Sequence, residues 1–135
     1  MDGLIERCAG LDIHQATIVA TVRVPGEGGG RAVVTHTFGT MTMDLLALHE
    51  WLQAYGVTHV AMESTGVYWK PIYYVLEAHV TVLLINMQHL KQVPGRKSDV
   101  KDSEWLAQLL ECGLPFGGAR IQPRPAFLQS LNRGK

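Results

Sequence analysis

Cysteine, long apolar runs and a surplus of either charge are scarce or missing in this sequence, and each absence narrows the class of protein. Only two cysteines occur, Cys8 and Cys112, and neither has the spacing of a metal ligand. The histidines also lack zinc-ligand spacing. No apolar run is long enough to span a bilayer, and the N-terminus lacks a signal-peptide pattern. We therefore expect a cytoplasmic protein with reduced cysteines and no membrane partner.

The charges balance overall but not along the chain. The formal net charge is zero, with 12 basic and 12 acidic residues. Acids are in excess in residues 1–66, and bases are in excess in residues 67–135. A neutral total argues against a domain that binds nucleic acid tightly by charge alone. The separation still allows a local basic contact beside an acidic pocket.

The length and composition are those of one folded domain. The chain has 135 residues, of which 47% are hydrophobic and 18% are charged, and this is enough to bury a core. Residues 1–113 form the predicted domain. Residues 114–135 are rich in proline and glycine. We expect them to be a linker and the start of a helix that lead to a C-terminal domain absent from this chain.

Three strands are predicted near the N-terminus. Apolar and β-branched runs indicate strands at residues 8–14, 17–24 and 31–38, and short turns between them favour an antiparallel meander. The glycine-rich loop at residues 25–30 lacks the following helix and the Lys-Ser/Thr pair that a phosphate-binding loop requires.

Helices and strands are predicted to alternate in the rest of the domain. Apolar stripes indicate helices at residues 42–55 and 67–78, and short apolar runs indicate strands at residues 58–62 and 80–85. A last helix follows a basic loop within residues 94–110. The order is β-β-β-α-β-α-β-α, an α/β fold with a mixed five-stranded sheet, because helical crossovers force parallel pairing. This order is similar to the ribonuclease H-like fold of resolvases and many transposases.

Four acidic residues fall where such a sheet would place a site. Asp12 lies near the end of the first strand and Glu63 ends the fourth, and these strands are central neighbours in a ribonuclease H-like sheet. Asp99 and Asp102 stand three residues apart, so they share one side of a helical turn. Clustered carboxylates need a counterion, and their oxygens suit Mg²⁺, for which Mn²⁺ can substitute.

Basic residues accompany these acids. Arg96, Lys97 and Lys101 lie beside the last two acids, and Lys70 follows the strand that ends in Glu63. We expect them to contact phosphate groups of a nucleic acid. The alternative is an ordinary solvated run of charges.

Each acid also has a purely structural interpretation. Asp99 alone could be an N-cap, with Asp102 a first-turn acid that the helix dipole favours. Glu63 could cap the following helix. Asp12, with a solvated His14 two residues on, could be an exposed strand end.

Three stretches surround the acids: Gly-Leu-Asp-Ile-His at residues 10–14, Ala-Met-Glu-Ser-Thr-Gly-Val-Tyr-Trp-Lys at 61–70, and Val-Pro-Gly-Arg-Lys-Ser-Asp-Val-Lys-Asp at 93–102. These stretches resemble the DEDD transposases, a family that includes Piv-type DNA invertases and bridge-RNA-guided recombinases of insertion sequences. The resemblance implies a resolvase-like catalytic domain whose acidic tetrad falls on Asp12, Glu63, Asp99 and Asp102.

The implied function is Mg²⁺-dependent cleavage and rejoining of DNA strands, in transposition or site-specific inversion. DNA is the implied partner, and a structured guide RNA is a second candidate. We also expect a homodimer or larger assembly. Full-length members have a C-terminal domain with a serine thought to be the nucleophile, and no stretch of this chain resembles that domain. We therefore expect this fragment to be inactive by itself.

Two other functions compete with this one. The first is an inactive nucleic-acid-binding or assembly fragment, which metal titration would distinguish. The second is half of a sugar-kinase or actin-like ATPase, whose first strand also has Gly-x-Asp. That class needs a Gly/Thr-rich turn after the aspartate, and residues 14–16, His-Gln-Ala, do not supply it.

Overall fold

A computed structural model describes residues 5–63, 66–85, 101–111 and 119–121 of the chain. Within these ranges the elements, in chain order, are β1 (Cys8–Ile13), β2 (Ile18–Pro25), β3 (Arg31–Phe38), α1 (Thr42–Ala54), β4 (His59–Glu63), α2 (Trp69–Leu76), β5 (Thr81–Ile85), α3 (Asp102–Glu111) and β6 (Ala119–Ile121). A short 3₁₀ turn, Glu27–Gly29, joins β2 to β3.

The strands form one mixed sheet in the order β3-β2-β1-β4-β5-β6. The first three strands pair antiparallel as a meander. β4 pairs parallel with both β1 and β5, because helical crossovers precede and follow it. The predicted five strands and their α/β order are confirmed, and β1 and β4 are neighbours as the fold requires. β6 pairs antiparallel with β5 as a sixth, short strand within the segment predicted to be a linker.

Local signals explain where α1 begins and ends. At its start the Asp44 carboxylate accepts a hydrogen bond from the Met41 backbone N–H at 3.1 Å. At its end Gly56 has φ +69° and donates its N–H to the Gln53 carbonyl at 2.9 Å.

Each face of the sheet has its own apolar core. One core, beneath α1 and α2, contains Leu11, Met62 and Leu48, all fully buried. The other core, beneath α3, contains Cys8, Ala61 and Leu106, also fully buried. The alternation of side chains along β1 and β4 assigns neighbouring residues to opposite cores. Among the described residues, no helix has the length and apolarity needed to cross a membrane.

Candidate functional site

Asp12 and Glu63 lie side by side at the carboxyl ends of two parallel strands. In the β1–β4 register Leu11 pairs with Met62, and the two acids are each one residue further along. Leu11 and Met62 point into the core beneath α1 and α2, so Asp12 and Glu63 point to the opposite face. That face is covered by α3. Both acids are half-buried.

Helix α3 runs away from this acidic edge. Near its start, a Cβ on Gly10 would lie 2.2 Å from the Ser103 carbonyl oxygen. Further along the helix, the Cys8 thiol donates a hydrogen bond to the Ala107 carbonyl at 3.4 Å. The Ile5 backbone N–H donates to the Glu111 carbonyl at 3.2 Å. Successive helix residues thus contact earlier residues of the β1 segment. The first helix residue therefore lies at the end of β1 that carries Asp12.

Asp102 is that first residue of α3. It is half-buried, whereas Ser103 beside it is fully buried. The Lys101 carbonyl accepts the Trp105 N–H at 2.9 Å, which closes the first helical turn. A negative charge at this position also interacts favourably with the helix dipole. The fold therefore brings three of the predicted acids to one face at one end of the sheet.

A row of hydroxyl groups joins α3 to the sheet. The Oγ1 of Thr21 lies 2.9 Å from the Oγ of Ser103 and 2.7 Å from the Oγ1 of Thr35. Thr21 is opposite Gly10 in β1 and opposite Thr35 in β3. Thr21 and Ser103 are both fully buried. The start of α3 is thus hydrogen-bonded to the sheet at the level of Gly10, which precedes Asp12 by two residues in β1.

An ion-pair cluster holds the other end of α3. Glu111 accepts hydrogen bonds from Arg23 at 3.1 Å and from Arg31 at 2.5 Å. Burial alone would raise the pKa of Glu111, but the hydrogen bonds and positive charges of the two arginines outweigh it and lower that pKa. A cavity of about 170 Å³ lies beside this cluster, lined by Ile5, Glu6, Arg31 and Glu111.

His14 interacts with the acidic edge directly. Its Nε2 lies 3.1 Å from the Oδ2 of Asp12, with 57% of the His14 side chain exposed against 19% for Asp12. The His14 backbone N–H donates to the Thr17 carbonyl at 2.8 Å in the tight turn between β1 and β2. The predicted solvated histidine is therefore exposed but bonded to the aspartate.

Two of the four basic residues predicted to contact phosphate lie at the same end of the sheet. Lys101 directly precedes α3 and is exposed. Lys70 is exposed in the first turn of α2, which follows the end of β4. The other two, Arg96 and Lys97, lie outside the described residues, as does Asp99.

The described residues do not by themselves complete a metal site. Within them no group of three or more His, Cys, Asp or Glu side chains is arranged to hold an ion. The acidic tetrad and the basic contacts therefore stay predictions, with Asp99 still to be placed.

Sequence reasoning missed Thr21 and Ser103, because isolated hydroxyl residues occur everywhere. Gly10 was the one available signal, since a glycine within a strand often marks a close approach of another backbone. The Glu111 cluster was also missed, because its partners are 80 and 88 residues away in sequence.

The family model of DEDD transposases of the IS110 group matches residues 9–124. The chain belongs to this transposase family. A comparison with curated protein sequences finds no match.

Among the solved structures similar to this transposase domain are two of RuvC. One is Thermus thermophilus RuvC in complex with a Holliday junction substrate, with a TM-score of 0.50 and 16% identity over 92% of this chain and 87% of that chain. Another structure of Thermus thermophilus RuvC has a TM-score of 0.46 and 19% identity over the same shares. The likeness to the RuvC complex shows that the transposase domain has the ribonuclease H-like fold that its element order indicated.

The donor chemistry of the transposase domain suits a hard divalent cation. Asp12, Glu63 and Asp102 offer only carboxylate oxygens from one face of the sheet, which are ligands that Mg²⁺ prefers. The His14 ring also lies at this edge, with its Nε2 3.1 Å from the Asp12 carboxylate.

Proposed function

We propose that this chain is the Mg²⁺-dependent catalytic domain of a transposase that cleaves and rejoins DNA strands. Membership of the transposase family and the resolvase fold support the general class. The tetrad of Asp12, Glu63, Asp99 and Asp102 is the proposed catalytic and metal-binding set.

One observation supports this function above the others. Asp12 and Glu63, 51 positions apart in sequence, occupy neighbouring places on one face, and the helix that covers this face begins at Asp102. A purely structural role for each acid would not require all three at one edge. In open sheets, ligands bind outside the carboxyl ends of parallel strands, which is where these acids lie.

The proposed roles follow from position and charge. The four carboxylates would hold Mg²⁺, which supplies charge stabilisation at the attacking and leaving oxygens of a phosphodiester when bound. Lys70 and Lys101, together with Arg96 and Lys97, would contact the phosphate backbone and orient the strand. His14 would restrain the Asp12 carboxylate through their hydrogen bond.

The domain is proposed to need a further part for the complete reaction. We infer that a C-terminal serine-bearing domain supplies the nucleophile and that a homodimer or larger assembly brings the DNA ends together. DNA is the proposed substrate, and a structured guide RNA is a second candidate partner. The competing function is an inactive nucleic-acid-binding or assembly fragment.

Binding of Mn²⁺ in the presence of duplex DNA separates the two functions without requiring turnover. We expect the 135-residue chain to bind Mn²⁺, measured as the loss of the free-ion signal in electron paramagnetic resonance. Asp12→Asn and Glu63→Gln should each weaken this binding by about 100-fold, because each removes a charged ligand.

Glu27→Gln is the matched control, since Glu27 is an exposed acid in the turn between β2 and β3. Its affinity for Mn²⁺ should equal that of the unchanged chain. If Asp12→Asn and Glu63→Gln bind Mn²⁺ as tightly as this control, the fragment is not a metal-dependent nuclease domain and the competing function stands.

A further inference from the structure

We infer that Thr21 and Ser103 are positioning residues for the metal site, because their buried hydrogen bond fixes the start of α3 and with it Asp102. This inference rests on the proposed function. It concerns two residues that do not themselves belong to the acidic tetrad. Neither lies in a stretch of unusual sequence, and the geometry alone points to them.

The first turn of α3 packs on a row of small residues in the sheet. Thr21 and Ala61 flank Gly10 on the two neighbouring strands, and Thr35 continues the row beyond Thr21. Because Gly10 has no side chain, the Ser103 carbonyl and the Ala107 N–H can approach the β1 backbone, and a Cβ there would lie 2.2 Å and 2.6 Å from these atoms. The close approach fixes the height of the helix above the sheet.

Packing against a glycine does not fix the position of a helix along the strand. The Thr21 hydroxyl supplies that restraint, since it lies 2.9 Å from the Ser103 Oγ in a site closed to solvent. Thr35, 2.7 Å from the same hydroxyl, restricts its orientation. A slide of the helix along β1 would break the buried Thr21–Ser103 hydrogen bond, while Thr21 would keep its bond to Thr35. Loss of a buried hydrogen bond is costly in free energy.

The acidic edge lies next to this row. Asp12 is two residues beyond Gly10, and strand geometry places it about 6.6 Å further along β1. Asp102 is the residue before Ser103 at the same end of the helix. The Thr21–Ser103 bond, as the side-chain bond next to Asp102 at this end of the helix, therefore restrains the distance of Asp102 from Asp12 and Glu63. At the far end, the Arg23 and Arg31 bonds to Glu111 hold the helix in a similar way.

The test compares Thr21→Val, which removes the hydroxyl at nearly constant volume, with Thr21→Ser, which retains it. The affinity for Mn²⁺ is measured by electron paramagnetic resonance with duplex DNA present, at a temperature well below the lowest midpoint of thermal unfolding. Thr21→Val should weaken Mn²⁺ binding about 10-fold, as loss of a group that orients a ligand does. Thr21→Ser should restore it. Thr37→Val, the same change two residues along β3 from Thr35, should have no effect.

A double-mutant cycle shows whether the effect passes through Asp102. If Thr21 acts by positioning Asp102, Thr21→Val should cause no further loss of affinity in an Asp102→Asn background. Ser103→Ala removes the same hydrogen bond by changing the helix residue, and it replaces Thr21→Val in the test if Thr21→Val does not fold. Its affinity for Mn²⁺ should fall by the same factor of about 10.

The outcomes separate this inference from the proposed function. Unchanged affinity in folded Thr21→Val or Ser103→Ala, while Asp102→Asn loses binding, overturns the positioning role alone. The positioning role is also overturned if Thr21→Val weakens Mn²⁺ binding by the same factor in the Asp102→Asn background as in the unchanged chain. No Mn²⁺ binding by the unchanged chain, or unaltered binding by Asp102→Asn, instead overturns the proposed tetrad.

Discussion

Glu111 is a single carboxylate whose charge contributes to stability in a pH-dependent way. Its pKa in the folded chain is lower than the ordinary value of 4.5, because the two arginine partners outweigh the effect of burial. A lowered carboxyl pKa stabilises the fold at pH values above the unfolded-state pKa. This contribution is lost as the pH falls through the folded-state pKa.

We predict that Glu111→Gln lowers the free energy of unfolding by about 2 kcal/mol at pH 7, since it leaves Arg23 and Arg31 without their charged partner. The difference from the unchanged chain should narrow as the pH falls from 5 to 3. Urea denaturation at several pH values measures this difference in the free energy of unfolding and its pH dependence. A difference that stays constant from pH 5 to 3 would contradict the stabilising role of the Glu111 charge. The control Glu27→Gln should differ little from the unchanged chain at any pH.

Individual residues were predictable from the sequence where a strand pattern ended at a charge. Asp12 and Glu63 were placed at strand ends in this way, and the structure puts them there. Their chemical role stays a prediction. Thr21 and Ser103 could not be found, because their contact spans 82 positions and depends on how α3 crosses the sheet.

At the scale of elements, the packing of α3 on β1 depends on Gly10. The atoms that a Cβ would approach most closely there belong to the helix backbone, which cannot rotate away as a flexible side chain can. The helix must therefore shift if this position carries any side chain.

We predict that Gly10→Ala lowers the free energy of unfolding by about 3 kcal/mol, as overpacking at a rigid contact does. Gly30→Ala is the matched control, because a Cβ there would meet only the Glu27 carbonyl at 3.7 Å. Thermal and urea denaturation of the two variants provide the comparison. Equal stability of Gly10→Ala and Gly30→Ala would show that α3 does not pack as closely as described.

Most elements were predictable because their periodicity was strong. β3 matches its predicted bounds, β1 and β5 differ by one residue at one end, and β2 and β4 differ by one residue at both ends. β6 was missed because three residues within a segment rich in proline and glycine have no recognisable period. It forms because the edge of β5 offers unpaired backbone groups, which is a property of the sheet and not of the local sequence.

At the scale of the whole molecule, the zero net charge makes DNA binding depend on where the cations lie. Lys70 and Lys101 are exposed at the end of the sheet that carries the acids. Arg7 precedes β1 at the opposite end, where its Nη1 donates to the Tyr55 carbonyl at 2.6 Å. This distribution distinguishes a local phosphate contact from a general effect of charge.

We predict that Lys70→Ala and Lys101→Ala each weaken duplex DNA binding and each flatten the plot of log affinity against log salt concentration by about 0.9, the value for one phosphate contact. Arg7→Gln removes one positive charge at the other end and should leave the slope unchanged. Fluorescence anisotropy over a range of salt concentrations measures these slopes. A similar change of slope in all three variants would mean that net charge, not position, governs binding.

The central claim is that carboxylates from separate parts of the chain share one divalent cation at the acidic edge. Anomalous scattering from Mn²⁺ in crystals of this chain with DNA tests that claim most directly. The account predicts a peak within coordination distance of carboxylate oxygens of both Asp12 and Glu63, with Asp102 and Asp99 completing the set. A peak elsewhere, or none beside either acid, would contradict it.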